Sequence, residues 1–73
     1  MWFKFNGERF KSERERKNIS QRFLAEMADT SERYIRDLEK GHKTNLSAEL
    51  LSRFSAILNI SMEDLMSKTE GES

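Results

Sequence analysis

Between Ser31 and Gly41 the chain sets two arginines, Arg33 and Arg36, three residues apart and flanks them with two acids, Glu32 and Asp37. At helical spacing these four share one side of a helix, while Ile35 and Leu38 point the other way. Guanidinium groups displayed like this can make paired hydrogen bonds to O6 and N7 of guanine, and a carboxylate such as Glu32 can accept from cytosine N4. The pattern fits a helix whose exposed N-terminal half enters the major groove of duplex DNA. Plainer readings stand beside it. Glu32 lies in a first turn, where the helix dipole favours a carboxylate. Arg33 and Asp37 are also spaced to pair with each other, which would hold the acid away from phosphates. Tyr34 is either the edge of the core or a contact to a phosphate or a thymine methyl.

Catalytic chemistry finds little support. The chain has no cysteine and one histidine, His42, so thiolate nucleophiles and thiolate zinc sites are excluded and no serine has an evident base. His42 reads as an exposed loop residue. The carboxylates are scattered among basic residues on amphipathic segments, and the sequence predicts no enzyme, cofactor, metal or small-molecule substrate.

The arginines need a rigid mount, and the segment from Ser20 to Gly41 supplies one. Ser20 suits the N-cap of a helix over Gln21–Ala28, and Ser31 caps a second helix over 32–40. Asp29 falls in the turn, since a short carboxylate side chain tolerates the left-handed backbone conformation. So short a connection brings the two helices close together at a sharp crossing. Ala25 is the small residue such an approach requires, and Leu24, Ala28, Ile35 and Leu38 face inward. Groups near the helix starts and in the following loop, namely Ser31, Arg22, Lys40, Lys43, Thr44 and Asn45, are placed to meet phosphates.

The remaining sequence predicts an all-α, compact five-helix domain, with no proline and only three glycines. The first helix is expected over 7–17 behind Asn6, and Ile19 then enters the core. A fourth follows Ser47 with Leu50, Leu51, Phe54, Ile57 and Leu58 as its stripe. The fifth is capped by Ser61, with Asp64 in a shortened capping box and Leu65 and Met66 on its apolar side. Residues 1–6 read as an aromatic arm, 7–67 as the domain and 68–73 as a polar, disordered tail.

Seventy-three residues make one small domain with no room for a deep cavity. No stretch suits a membrane span or a signal peptide, and the lack of cysteine suits a cytoplasmic setting. The net charge is zero, but it is polarised. Residues 1–19 carry six basic and three acidic groups, 20–45 carry five of each, and 46–73 carry two and five. A basic front and an acidic rear would orient a neutral molecule in the field of DNA.

From residue 10 to 66 the chain resembles the lambda-repressor-like, or Xre-type, helix-turn-helix family of bacterial and phage regulators. The residues that carry the likeness are Ile19-Ser20-Gln21, Leu24-Ala25-Glu26, Ser31, Ile35, Leu38-Glu39-Lys40-Gly41 and Asn59-Ile60-Ser61 with Leu65. The resemblance implies a transcriptional regulator of phage-repressor or restriction-modification controller type. Such a protein binds a double-stranded DNA operator as a homodimer, and its size suits one that acts alone. It implies an ion pair between Arg14 and Glu39, a phosphate contact from Gln21, and a dimer surface containing Ile60, Met62, Leu65 and Met66.

Departures from the family pattern are informative. Asp29 stands at the usual turn glycine and Thr30 at an apolar position, and the loop 41–47 runs about one residue long without its common proline. Phe23 and Met27 form an apolar strip where relatives carry polar residues. Trp2, Phe3 and Phe5 are expected to fold back onto that strip. Otherwise it meets a dimer mate or a protein partner, which leaves a protein-interaction module or antitoxin as the alternative function.

Overall fold

The computed structural model describes residues 3–44 and 46–68, without the side chains of 3, 67 and 68. Along the chain it runs β1 (Phe3–Phe5), α1 (Gly7–Arg16), α2 (Gln21–Ala28), α3 (Glu32–Glu39), α4 (Ala48–Leu58), a single 3-10 turn (Glu63–Leu65) and β2 (Met66–Lys68). Each α-helix starts behind a side chain that accepts a first-turn N–H. Asn6 takes that of Arg9, Ser20 that of Phe23, Ser31 that of Tyr34 and Ser47 that of Leu50. Asn18, Asp29 and Asn59 end three of them in the left-handed region.

The predicted five helices become four. Ser61 does accept from the Asp64 N–H, but the turn that follows is one 3-10 turn, after which Met66 is extended. Two stronger interactions displace the fifth helix. Leu65 is fully buried, and β2 pairs antiparallel with β1 in the register Phe3–Lys68, Lys4–Ser67 and Phe5–Met66. A helix of so few residues has little propensity stability of its own, so a sheet pairing that also buries Leu65 prevails. The expected tail therefore begins inside β2 at Lys68, and 69–73 lie outside the described residues.

The same sheet corrects the expected fold-back of the aromatic residues. Phe5 is buried in the core, edge-on to Phe10 with centroids 4.9 Å apart, and Phe10 in turn lies 4.8 Å from Phe54. Phe23 and Met27 remain 49% and 55% exposed. Trp2 lies outside the described residues, as does the side chain of Phe3. Around the aromatic trio, Leu24, Ala25, Ala28, Ile35, Leu38, Leu58 and Leu65 complete the core. α2 thus packs on both α3 and α4 while α1 closes over α3.

Two details set how α2 meets α3. Asp29 has φ 61° and ψ 47°, and the Thr30 N–H closes back onto the Ala25 carbonyl at 2.9 Å, so the chain reverses within three residues. Arg53 of α4 donates to the Ala28 carbonyl at 3.0 Å and so holds the end of α2. Asp29 bears a backbone cost, and its negative charge faces the negative end of the α2 dipole. Asp29→Gly is therefore expected to be neutral or to stabilise by about 0.5–1 kcal/mol, and Asp29→Ala to cost about 1 kcal/mol. Urea unfolding of the two variants checks both signs.

Candidate nucleic-acid interface

α3 has a buried and an open side. Ile35 and Leu38 are fully buried, while Ser31, Glu32, Arg33, Arg36 and Lys40 are exposed and Tyr34 and Asp37 are half-buried. Among the described residues neither Arg33 nor Arg36 has an ion-pair partner. The possible pairing of Arg33 with Asp37 is not formed. Asp37 turns instead to the next loop, where its carbonyl accepts from the His42 N–H at 2.9 Å and its carboxylate lies 3.9 Å from His42 Nδ1. The two cations at the front of α3 are thus left without a carboxylate of their own.

Ser31, Arg33, Tyr34, Asp37 and Lys43 line a shallow open hollow beside α3. Partial burial of Tyr34 raises its pKa above the ordinary phenol value, so the hydroxyl stays a neutral donor at physiological pH. Lys43 and Thr44 are exposed on the loop, and Asn45 lies outside the described residues. Arg22 is exposed but lies 3.6 Å from Glu26 in an i,i+4 pair. At that exposure the pairing is weak and leaves Arg22 able to turn elsewhere.

Behind this surface lies a buried polar network. Arg14 donates through Nε to Glu39 Oε2 at 2.6 Å and through Nη2 to Glu39 Oε1 at 3.3 Å, and its Nη1 holds the Ile19 carbonyl at 2.7 Å. One guanidinium therefore ties α1 and the entry to α2 to the last residue of α3, in the forked geometry that suits arginine and carboxylate. Gln21 joins them, with Nε2 donating to Glu39 Oε1 at 3.0 Å. The start of α2 and the end of α3 are fixed to each other here, while Asp29 and Thr30 fix their other ends.

Three positions are not apparent from residue patterns, and two of them, Arg53 and Gly7, bear on how α2 and α3 are held. Arg53 looks like the partner of Glu49 four residues earlier, and it is, at 2.7 Å; its second nitrogen secures α2. Glu13 is buried between Arg9, at 3.1 Å, and Arg16, at 3.2 Å. Gly7 lies against the Leu38 and Glu39 carbonyls, where a Cβ would overlap backbone. A glycine in the first turn of a helix was the one signal available for it.

The expected dimer surface needs correction at one position. Leu65 is fully buried and offers nothing to a second molecule, and Met66 is half-buried against the core in β2. Met62 is 44% exposed and Ile60 is half-buried. Among the described residues no helix is long and apolar enough to cross a membrane.

Known proteins share this arrangement. The SinR transcriptional regulator of Bacillus licheniformis is 33% identical over 64 residues, 88% of this chain and 58% of that protein. SinR of Bacillus subtilis is 35% identical over 60 residues, so the chain spans little more than half the length of these curated relatives. The crystal structure of SinR, the master regulator for biofilm formation, in complex with DNA superposes with a TM-score of 0.77 at 35% identity, covering 82% of this chain and 98% of that one. The P22 c2 repressor with a synthetic operator superposes at 0.76 and 29% identity, covering 81% and 88%. A helix-turn-helix family model matches residues 10–65, the span from Phe10 of the aromatic core to the buried Leu65. The chain belongs to the helix-turn-helix family of lambda-repressor-like, Xre-type regulators.

Proposed function

We propose that this protein is a sequence-specific double-stranded DNA-binding regulator of transcription that reads the major groove with α3. The observation that carries this is the front of α3, where Arg33 and Arg36 stand exposed and unpaired on a helix anchored at both ends. Arg33 and Arg36 are the guanine readers, with Glu32 and Asp37 as further base-reading positions. Ser31, Tyr34, Gln21, Arg22, Lys40, Lys43, Thr44 and Asn45 form the phosphate set. Similarity to SinR and to the P22 c2 repressor, both seen in complexes with DNA, supports the reading.

One α3 touches only a few base pairs, so the working form is a homodimer on two half-sites about one helical turn apart. Met62 and Ile60 are the remaining candidates for its contact. A second reading, a protein-interaction module or antitoxin on the same fold, draws on the exposed Phe23 and Met27.

Salt separates the two readings. A duplex operator enriched by in-vitro selection from random sequences is expected to lose affinity steeply as salt rises, because each phosphate neutralised by a cation releases counterions. Arg33→Ala is expected to lower operator affinity about 5–100-fold and to flatten preference at one base pair. Lys43→Ala weakens all duplexes alike and lowers the salt slope by about one. Fluorescence anisotropy titrations on operator and scrambled duplexes at several salt concentrations measure all three quantities. An interaction module would show no duplex binding that depends on sequence.

A further inference from the structure

The buried network does more than hold two helices together. Gln21 stands at the first position of α2, half-buried, and its amide nitrogen is 3.0 Å from Glu39 Oε1. The end of the amide that faces inward is fixed by charge. A carboxylate already gripped by Arg14 accepts an N–H and repels a carbonyl oxygen, so the flipped amide is excluded. A primary amide has two N–H groups. Glu39 uses one and, with Arg14 holding both carboxylate oxygens, immobilises the rest of the group. We propose that Glu39 is a positioning residue for DNA binding: it orients the Gln21 amide so that its second N–H is held ready for a phosphate at the start of α2. This rests on the docking of α3 proposed above.

The value of such an arrangement lies in entropy. A free glutamine side chain is among those that lose the most rotamer freedom when fixed. One that is held in place before the duplex arrives does not bear that cost on binding. The donor is also neutral, so it adds affinity without releasing a counterion. Its loss is therefore expected to weaken every duplex alike and leave the salt slope unchanged, unlike the loss of a lysine.

The test is a double-mutant cycle on the full chain with Gln21→Met, Glu39→Gln and the pair, each first shown to be folded by circular dichroism. Glu39→Gln keeps an acceptor and the side-chain shape but leaves Arg14 without its counter-charge, so its affinity is measured at a temperature where circular dichroism shows it folded, while Gln21→Met leaves the buried ion pair untouched and tests the amide independently. Each single change is expected to lower duplex affinity about 3–10-fold at an unchanged salt slope, and the pair to be no worse than the weaker binder. In the free protein, one Gln21 side-chain N–H resonance is expected to be shifted and slow to exchange, and to return to the position of a solvated amide in Glu39→Gln.

Multiplicative losses in the cycle, full affinity in Glu39→Gln, or a Gln21 amide that already behaves as solvated in the unmutated protein would each overturn the assignment. If Gln21→Met binds normally while Arg33→Ala does not, the positioning role fails and the docking of α3 stands. If the unmutated protein binds no duplex, both fall.

Discussion

Glu39→Ala is expected to cost the domain about 3–5 kcal/mol, enough to leave much of it unfolded near body temperature. The size follows from what remains behind. Glu39 accepts from Arg14 twice and from Gln21 once, and its side chain is only 3% exposed. Without the carboxylate, Arg14, whose side chain is 11% exposed, keeps a full charge with the Ile19 carbonyl as its one close partner among the described residues, and exposed Glu15 is 3.8 Å away. A chain of this length has a total stability of roughly 4–11 kcal/mol at the usual value per residue, so the loss is a large share of it. Removing both partners costs less. Arg14→Met with Glu39→Met leaves no uncompensated charge and is expected to be more stable than Glu39→Ala or Arg14→Ala, whereas Arg14→Lys keeps the charge but loses the fork and falls between. Urea unfolding followed by circular dichroism ranks the four. A double methionine variant weaker than Glu39→Ala would mean that the network stabilises by its own attraction and not by the cost of breaking it.

The parts of this molecule that were legible in the sequence are those where one residue type answers one local demand. Ser20, Ser31 and Ser47 each satisfy a first-turn N–H, Asp29 occupies the left-handed position, and the apolar stripes of α3 and α4 point inward. The Arg14 and Glu39 contact, implied by the family resemblance, joins residues 25 apart. What was not legible depends on non-local competition. Ser61 and Asp64 look the same at the start of a helix and of a single turn, and the burial of Leu65 together with the pairing of β2 with β1 decides between them. Phe5 lies in an arm with no periodicity, so nothing local says that it joins Phe10 and Phe54 instead of covering Phe23. At the candidate interface, the exposure of Arg33 and Arg36 follows from helix phase, but the diversion of Asp37 toward His42 depends on where the loop passes.

Gly7→Ala sets two general effects against each other with opposite signs. Inside a helix alanine is more favourable than glycine by about 1 kcal/mol, so a reading of α1 in isolation expects the change to stabilise. The structure expects the reverse. A methyl group at position 7 would be driven into the Leu38 carbonyl and would stand 3.2 Å from that of Glu39, and both are backbone atoms at the end of α3 that cannot rotate away. Forcing extra volume into such a contact costs typically 1–3 kcal/mol, and more where no side chain can yield. The propensity gain is also smaller in the first turn, where Gly7 sits. Packing therefore outweighs propensity, and a net loss of about 2–3 kcal/mol is expected in urea unfolding. The strain is directed: relieving it moves the start of α1 away from α3, and Arg14 on α1 draws on Glu39 across the same gap. Gly7→Ala should thus weaken duplex binding under conditions where it is still folded, while Gly7→Ser, with a Cβ of its own, gives a loss of similar size. Stabilisation by the alanine would show that α1 and α3 do not approach so closely, and the account of how α3 is held at its C-terminal end would have to be abandoned.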